Sequence, residues 1–204
     1  SAWSMALKLH VATHRSVGEK CRAWAKENLP SGWEYTDDMD ESDVFISVMY
    51  AKLLGEDFIR GRRAYNIHPG LLPRYRGAGA FSWAILNGEE QTGVTLHELD
   101  VSIDHGAIIT RSKIDIWPHD TAEMLFRRAE KAMFEVFTVY FRALLLNDYQ
   151  KTPQDETKAR LYYRKDLEAQ KDVTKFVRAF TFDGKENCFY YNERGERIEL
   201  VWKA

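Results

Sequence analysis

The sequence predicts an α/β fold: a parallel-dominated sheet flanked by helices, followed by a small C-terminal appendage of one helix and a β-hairpin. Three observations carry this prediction. Strand-length apolar runs alternate with helical periodicity through the first third, as parallel β-α-β units require. Val44–Met49 is apolar throughout and bounded by acidic residues, the pattern of a strand covered on both faces. A polar stretch, Asn147–Lys158, reads as a surface linker and divides a main unit, residues 5–147, from the appendage, residues 148–204.

The elements follow in order. Lys8–Thr13 alternates Leu9 and Val11 with polar neighbours and suits a strand. Ser16 with Glu19 is a capping-box pattern, opening a helix whose Val17, Cys21, Trp24, Ala25 and Leu29 share one face. Pro30-Ser31-Gly32 ends it. Ala64–Ile67 is a short strand that runs into His68-Pro69-Gly70, and His68–Gly79, rich in Pro and Gly, is a structured loop. Phe81–Leu86 is a short helix stopped by Asn87-Gly88. Thr92–Leu99 and Ala107–Ile116 are strands flanking the loop Asp100–Gly106. Asp120, with Glu123 three positions on, caps a long helix on which Leu125, Ala129, Ala132, Val136, Tyr140 and Leu144 recur at helical spacing. After the linker and Tyr162–Leu167 come a short helix, Thr174–Phe180, and a hairpin of Cys188–Tyr191 and Arg197–Trp202 around Asn192-Glu193-Arg194-Gly195. Ser1-Ala2-Trp3-Ser4 ahead of Met5 reads as an added remnant rather than native sequence.

Composition narrows the function classes. Of 204 residues, 45% are hydrophobic and 29% charged, ordinary for a globular chain. Lys and Arg number 29 against 31 Asp and Glu, a formal net charge of −2, which disfavours a nucleic-acid partner held by general electrostatics. No apolar stretch approaches the roughly 18 residues of a membrane span, and no charged-then-apolar leader opens the chain. Cys21 and Cys188 lack metal-ligand spacing and read as reduced thiols of a cytoplasmic protein. His10, His14, His105 and His119 show no metal spacing either. Thr13-His14-Arg15-Ser16-Val17-Gly18 is not a glycine-rich nucleotide loop.

Three residues could carry chemistry. Residues two apart on a strand point to the same side, so Asn66 and His68 present an amide and an imidazole together at a strand end, where ligands bind in open parallel sheets. An Asn amide donates to a developing oxyanion, and a His moves a proton near neutral pH. Asn66 capping a turn and His68 packing at a sheet edge explain the spacing equally well. Asp104 stands in a loop before Gly106, where it either holds an imidazolium or simply forms a turn.

Five collinear motifs, between Val44 and Phe137, then resemble one family: Asn66-x-His68-Pro69-Gly70-Leu71-Leu72-Pro73; Arg74-Tyr75-Arg76-Gly77; Trp83-Ala84-Ile85-Leu86-Asn87-Gly88; Thr92-Gly93-Val94-Thr95-Leu96-His97; and Asp104-His105-Gly106. They resemble the formyltransferases that use N10-formyltetrahydrofolate as co-substrate. The resemblance implies a shortened Rossmann-like sheet in a catalytic domain over residues 5–147, with Asn66, His68 and Asp104 as the catalytic trio. In that family a substrate amine attacks the formyl carbon. Asn66 and a protonated His68 would stabilise the oxyanion, Asp104 would hold His68 and assist proton removal, and no metal is needed. The folate pocket would be lined by Met49, Tyr50, Ala51, Lys52, Leu53 and Leu54 and by Leu99, Asp100, Ile103 and Asp104.

Asn66 lies only 61 positions after Met5, which resembles the compact sugar and peptide-tailoring branches, with part of the nucleotide-binding half shortened. Gly93–His97 and Phe176–Phe182 are similar to the sugar N-formyltransferases. The acceptor implied is an amino-dideoxy sugar carried on a nucleotide, with Arg74 and Arg76 meeting its phosphates and Tyr75 and His97 lining its pocket; Trp83 has a core role. An amino-acid, peptide or hydroxyornithine-like amine is the alternative acceptor, and a non-catalytic folate-binding protein the alternative class. The aromatic hairpin residues Phe189, Tyr190, Tyr191 and Trp202 suggest a homodimer contact.

Overall fold

The computed structural model describes residues 5–169, 173–191 and 194–202. Ser1–Ser4 and half of the predicted hairpin turn, Asn192 and Glu193, lie outside them. A six-stranded sheet forms the centre, in the order β2-β1-β3-β4-β6-β7. Its first four members are parallel: β1 (Leu7–Ala12), β2 (Trp33–Tyr35), β3 (Val44–Val48) and β4 (Arg63–His68). β1 connects to β2 through α1 (Ser16–Glu27), and β3 to β4 through the short helix α2 (Glu56–Arg60). β2 and α2 were missed by the sequence reading, because three and five residues are too few to show a period.

A two-residue strand, β5 (Arg76–Gly77), and a helix, α3 (Ala80–Leu86), follow, the latter ending at Asn87 and Gly88 as expected. The sheet then continues with β6 (Gln91–Glu98) and β7 (Ile108–Asp115), both antiparallel to their neighbours. The long helix α4 (Ala122–Leu146) ends at Asn147, in left-handed conformation. Beyond the linker, β8 (Leu161–Tyr162) pairs parallel to β5, a 3-10 turn spans Arg164–Ala169, and α5 (Val173–Phe180) precedes the hairpin of β9 (Cys188–Tyr191) and β10 (Arg197–Leu200).

The core explains why Val44–Val48 is apolar throughout. Val44, Ile46 and Val48 face α1 and α4, while Phe45 points the other way, edge-on to Phe58 of α2. All five residues of β3 are buried. Trp24 of α1 meets Phe137 and Phe141 of α4 edge-to-face at 6.3 and 5.2 Å, joining the two helices on one side of the sheet. Each such side chain taken out of water stabilises the fold by about 1.5–3 kcal/mol. Cys21 and Cys188 are both free and buried; burial pushes their thiols up to about 12 and about 11.

Two predicted caps are corrected by one position. The N-cap of α1 is Arg15, with no side-chain cap bond, and Glu19 pairs with Arg22 instead of closing a box. The N-cap of α4 is Thr121, whose hydroxyl accepts from the Met124 amide at 3.2 Å. Asp120 is drawn elsewhere: its fully buried carboxylate accepts from the Trp117 amide at 2.7 Å and pairs with Arg128. Arg178 of α5 donates to the Asp120 carbonyl at 2.7 Å, so the same corner anchors the appendage.

Burial alone raises the Asp120 pKa, but Arg128 and the Trp117 amide outweigh it and hold the carboxyl below the usual carboxylate range. A depressed folded pKa contributes stability above the unfolded value and loses it as pH falls. Asp120→Asn leaves Arg128 half-buried without its partner. It is expected to cost about 2–3 kcal/mol, lowering Tm by about 5–10 °C at neutral pH. Thermal denaturation followed from pH 7 to pH 3 should show the variant converging on the wild type at the acid end.

Candidate active site

The parallel half of the sheet sets the site's position. β1 connects outward to β2 and the chain then returns to β3 on the other side of β1, so the connections after β1 and β3 diverge. Such a switch point opens a crevice beyond the carboxyl ends of the strands. A cavity of about 450 Å³ lies there, lined by His14 and Arg15 after β1, Met49, Tyr50 and Ala51 after β3, and Asn66 and His68 at the end of β4. Asp104, Gly77, Phe126, Arg164, Phe182 and Lys185 are among the residues that line the rest of it.

The three chemistry-bearing residues converge. His68 Nδ1 lies 3.4 Å from Asp104 Oδ2, and both side chains are largely buried. His68 Nε2 stands 2.6 Å from the Tyr75 carbonyl oxygen; a carbonyl only accepts, so Nε2 carries a proton. Asp104 Oδ2 also accepts from the Gly77 amide at 2.8 Å. Asp104 is in left-handed conformation at φ 49°, as is Met49 at φ 56° in the turn after β3. Non-glycine residues adopt that region at a cost and concentrate at functional sites. Two bonds from Gln154 Nε2, each 2.8 Å, to the Asp104 and Gly106 carbonyls hold the loop from behind. Gly106 is obligatory there: a Cβ would stand 1.8 Å from the Glu98 carbonyl oxygen.

His97 is placed differently from the sugar-pocket role expected of it. β6 runs antiparallel to β4 with His97 opposite Asn66, and the imidazole is completely buried. Nδ1 lies 2.7 Å from the Glu98 carbonyl and donates to it, leaving Nε2 as a lone-pair acceptor. The Asn66 amide donates to Nε2 at 3.1 Å. That bond fixes which end of the amide faces inward and leaves the second N–H of Nδ2 free for the cavity. Burial pushes the His97 pKa down to about 4, against the opposing pull of Asp104.

The other predicted acceptor residues are also committed elsewhere. Arg74 pairs with Glu89. Tyr75 is buried, donates to Glu89 at 2.7 Å and stacks on Tyr162. Arg76 forks onto Glu156 and Gln154 at 2.6 to 3.1 Å. None of these lines the cavity. Of the folate-side residues, Met49, Tyr50, Ala51 and Asp104 do line it. Lys52, Leu53, Leu54, Leu99, Asp100 and Ile103 do not: Leu53 projects into solvent, Leu54 and Leu99 pack beside Phe45, Ile103 is exposed, and Asp100 binds His105. Trp83 is buried beside Tyr162 and Leu167, in the core as expected. Sequence reading assigned no role to His14, Arg15, Phe126, Arg164 or Lys185. The position of His14 and Arg15 just after a parallel strand was the available signal; Arg164 and Lys185 gave none. Among the described residues no group of His, Cys, Asp and Glu is arranged to hold a metal ion.

The buried, neutral His97 makes a checkable statement about pH. Its folded pKa lies below the unfolded value of about 6.5, so it contributes stability above that value that is lost as pH falls towards 4. Nitrogen-15 NMR of the histidine rings should find one imidazole fixed as the Nδ1–H tautomer from pH 8 down to pH 5. That signal should be missing in His97→Gln, and a ring titrating near pH 6.5 in its place would contradict the geometry.

With the geometry in place, comparison with known proteins gives a consistent result. Residues 17–140, more than half of the chain, match the family pattern described as formyl transferase. Over 88 residues, 42% of this chain, the sequence is 40% identical to the bifunctional polymyxin resistance protein ArnA of Wigglesworthia glossinidia brevipalpis; the match spans only 14% of that longer protein. A sugar N-formyltransferase from a Shewanella species superposes with a TM-score of 0.80 at 17% identity, covering 97% of this chain and 98% of the other. An N-formyltransferase of Helicobacter canadensis, in complex with folinic acid and dTDP-3-aminofucose, superposes with a TM-score of 0.75 at 18% identity, over 93% of each chain. The fold is therefore shared with these structures, and the chain belongs to the formyl transferase family.

Proposed function

We propose that this protein moves the formyl group of N10-formyltetrahydrofolate onto the amine of an amino-dideoxy sugar carried on a nucleotide. The convergence of Asn66, His68 and Asp104 on one cavity is the observation that carries this reading. The related Helicobacter canadensis structure, with its folate and nucleotide-sugar ligands, supports it. The main unit, residues 5–147, supplies the reacting groups, and the appendage, residues 148–204, completes the cavity through Arg164, Phe182 and Lys185.

The residues present fit the co-substrate. The cavity volume lies within the roughly 300–1000 Å³ of small-molecule sites, and the turn at Met49–Ala51 forms one wall against the switch point. When bound, the folate supplies an activated formyl carbon. The chain's own groups do the rest. The free N–H of Asn66 donates to the formyl oxygen as negative charge develops there. Asp104 takes the proton released by the attacking amine and stands 3.4 Å from His68 Nδ1, which shares it. The charge this puts on His68 stabilises the oxyanion from a few ångströms away, in a site largely shielded from water, where electrostatic interactions are strong. As the bond from the formyl carbon to the folate nitrogen breaks, Asp104 and His68 return the same proton to that departing nitrogen, leaving the formamide and tetrahydrofolate.

Two settings of this protein belong to the same proposal. It works in the cytoplasm, where folate co-substrates and nucleotide sugars are available; among the described residues no helix is long and apolar enough to cross a membrane. It also pairs as a homodimer through the outer face of the hairpin, where Phe189 and Tyr191 touch edge-to-face and remain exposed. A single hairpin is marginal in water, and a second copy covers this face. Sedimentation at micromolar concentration should give twice the chain mass; a monomer refutes the dimer.

Incubation with N10-formyltetrahydrofolate and a panel of nucleotide-linked amino sugars, free amino acids and hydroxyornithine-like amines should formylate a member of the first group. Folate binding without transfer to any amine would overturn the enzymatic reading. Asn66→Ala should keep its circular dichroism spectrum and lose about 10²–10³ in turnover. Wild-type turnover in that variant would sink the mechanism.

A further inference from the structure

We propose that the groove between α5 and the hairpin seats the nucleotide of the acceptor, with Arg164 and Lys185 gripping its diphosphate where the groove meets the catalytic cavity. This rests on the reading of the acceptor as a nucleotide-linked amino sugar. The groove has a volume of about 1100 Å³ and is lined by Phe176 and Phe180 of α5 and by Phe189, Tyr190 and Leu200 of the hairpin. Arg164 and Lys185 line both the groove and the catalytic cavity, so the two are neighbours with a pair of cations between them.

Charge decides what this arrangement can hold. The two arginines that the sequence offered for the acceptor's phosphates are already neutralised, Arg74 by Glu89 and Arg76 by Glu156, and Arg15 lines the catalytic cavity but not the groove. Arg164 stands over the Phe180 ring at 5.7 Å, and neither it nor Lys185 has a carboxylate partner among the described residues. Glu186, the acidic residue lining the groove, is neutralised by Arg197 at 2.7 Å. Two cations shared by both cavities, without a carboxylate partner among the described residues, call for an anionic ligand, and an Arg with a Lys suits phosphate.

The order of features along the cavity then matches the order of parts in one class of molecule. From the trio outwards come the reacting centre, the shared pair of cations and an aromatic groove. A nucleotide-linked sugar carries its amine, its diphosphate and its base in the same sequence. The base would lie against Tyr190 and the ring pair of Phe176 and Phe180, whose centroids are 4.5 Å apart. The two uses of the hairpin meet at Phe189, which lines the groove and also touches Tyr191 edge-to-face. Cys188 and Tyr190 alternate with Phe189 and Tyr191, and Cys188 is buried with its thiol 3.6 Å from the Phe176 carbonyl.

A folate tail also carries carboxylates, so the test must tell the two anions apart. Binding of dTDP and UDP, measured by calorimetry with no donor present, should weaken about 10-fold to 100-fold in Arg164→Ala and in Lys185→Ala, and further in Lys185→Glu. Tyr190→Ala should weaken dTDP but leave inorganic pyrophosphate binding unchanged. In transfer assays the KM for the nucleotide-linked sugar should rise in parallel, while the KM for mono- and polyglutamylated folate donors stays constant. A rise in the folate KM with unaltered dTDP binding would assign the cations to the folate tail and overturn the proposal. Unaltered dTDP binding in both variants of an enzyme that formylates nucleotide sugars sinks this inference alone. Cation-dependent dTDP binding by an enzyme that formylates no amino sugar supports the seat and sinks the functional reading instead.

Discussion

The antiparallel join of β6 to β4 is the constraint on which the reacting centre depends. It sets His97 opposite Asn66 and Thr95 opposite His68. His97 then holds the Asn66 amide, while the Thr95 hydroxyl donates to the Gly70 carbonyl at 2.7 Å and accepts from the Leu72 amide at 3.1 Å. A slip of one residue in that pairing would turn every one of these side chains to the other face of the sheet. The loop after β4 is thereby stitched to β6, and Arg111 of β7 adds a bond to the Leu72 carbonyl at 2.7 Å. Parallel strands build the crevice, and antiparallel ones orient what stands in it.

Within that frame, His68 and Asp104 form a small electrostatic unit. His68 is anchored at both nitrogens, by the Tyr75 carbonyl and by Asp104, and Asp104 in turn by the Gly77 amide. Neither ring nitrogen points freely into the cavity. In the proposed mechanism the imidazole therefore acts through its charge and its traffic with Asp104, and Asn66 is the direct hydrogen-bond donor.

Much of this was legible in the sequence, for identifiable reasons. The strand period alone put Asn66 and His68 on one side, and the unbroken apolar run marked β3 as covered on both faces. The approach of Asp104 was legible only through the five-motif resemblance, since it depends on a loop contact across 36 positions. What the sequence hid were partners far along the chain. Arg76 looked available because Glu156 lies 80 positions away, and Asp120 looked like a cap because Arg128 competes for it one turn beyond capping range. His97 looked like a pocket residue until its register opposite Asn66 buried it. Short elements such as β2 and α2 gave too few residues for any period to register.

The linker after α4 reaches back to the centre of the molecule. Gln154 secures the backbone of the loop bearing Asp104 from 50 positions downstream, and shares Arg76 with Glu156. The downstream tail is thus a buttress rather than an ornament. Drift in Thr157 or Lys158 is tolerable, whereas positions 154 and 156 are tied to Arg76 and must change with it. Chimaeras that trade C-terminal portions between relatives will stay active only when that clamp travels as a unit.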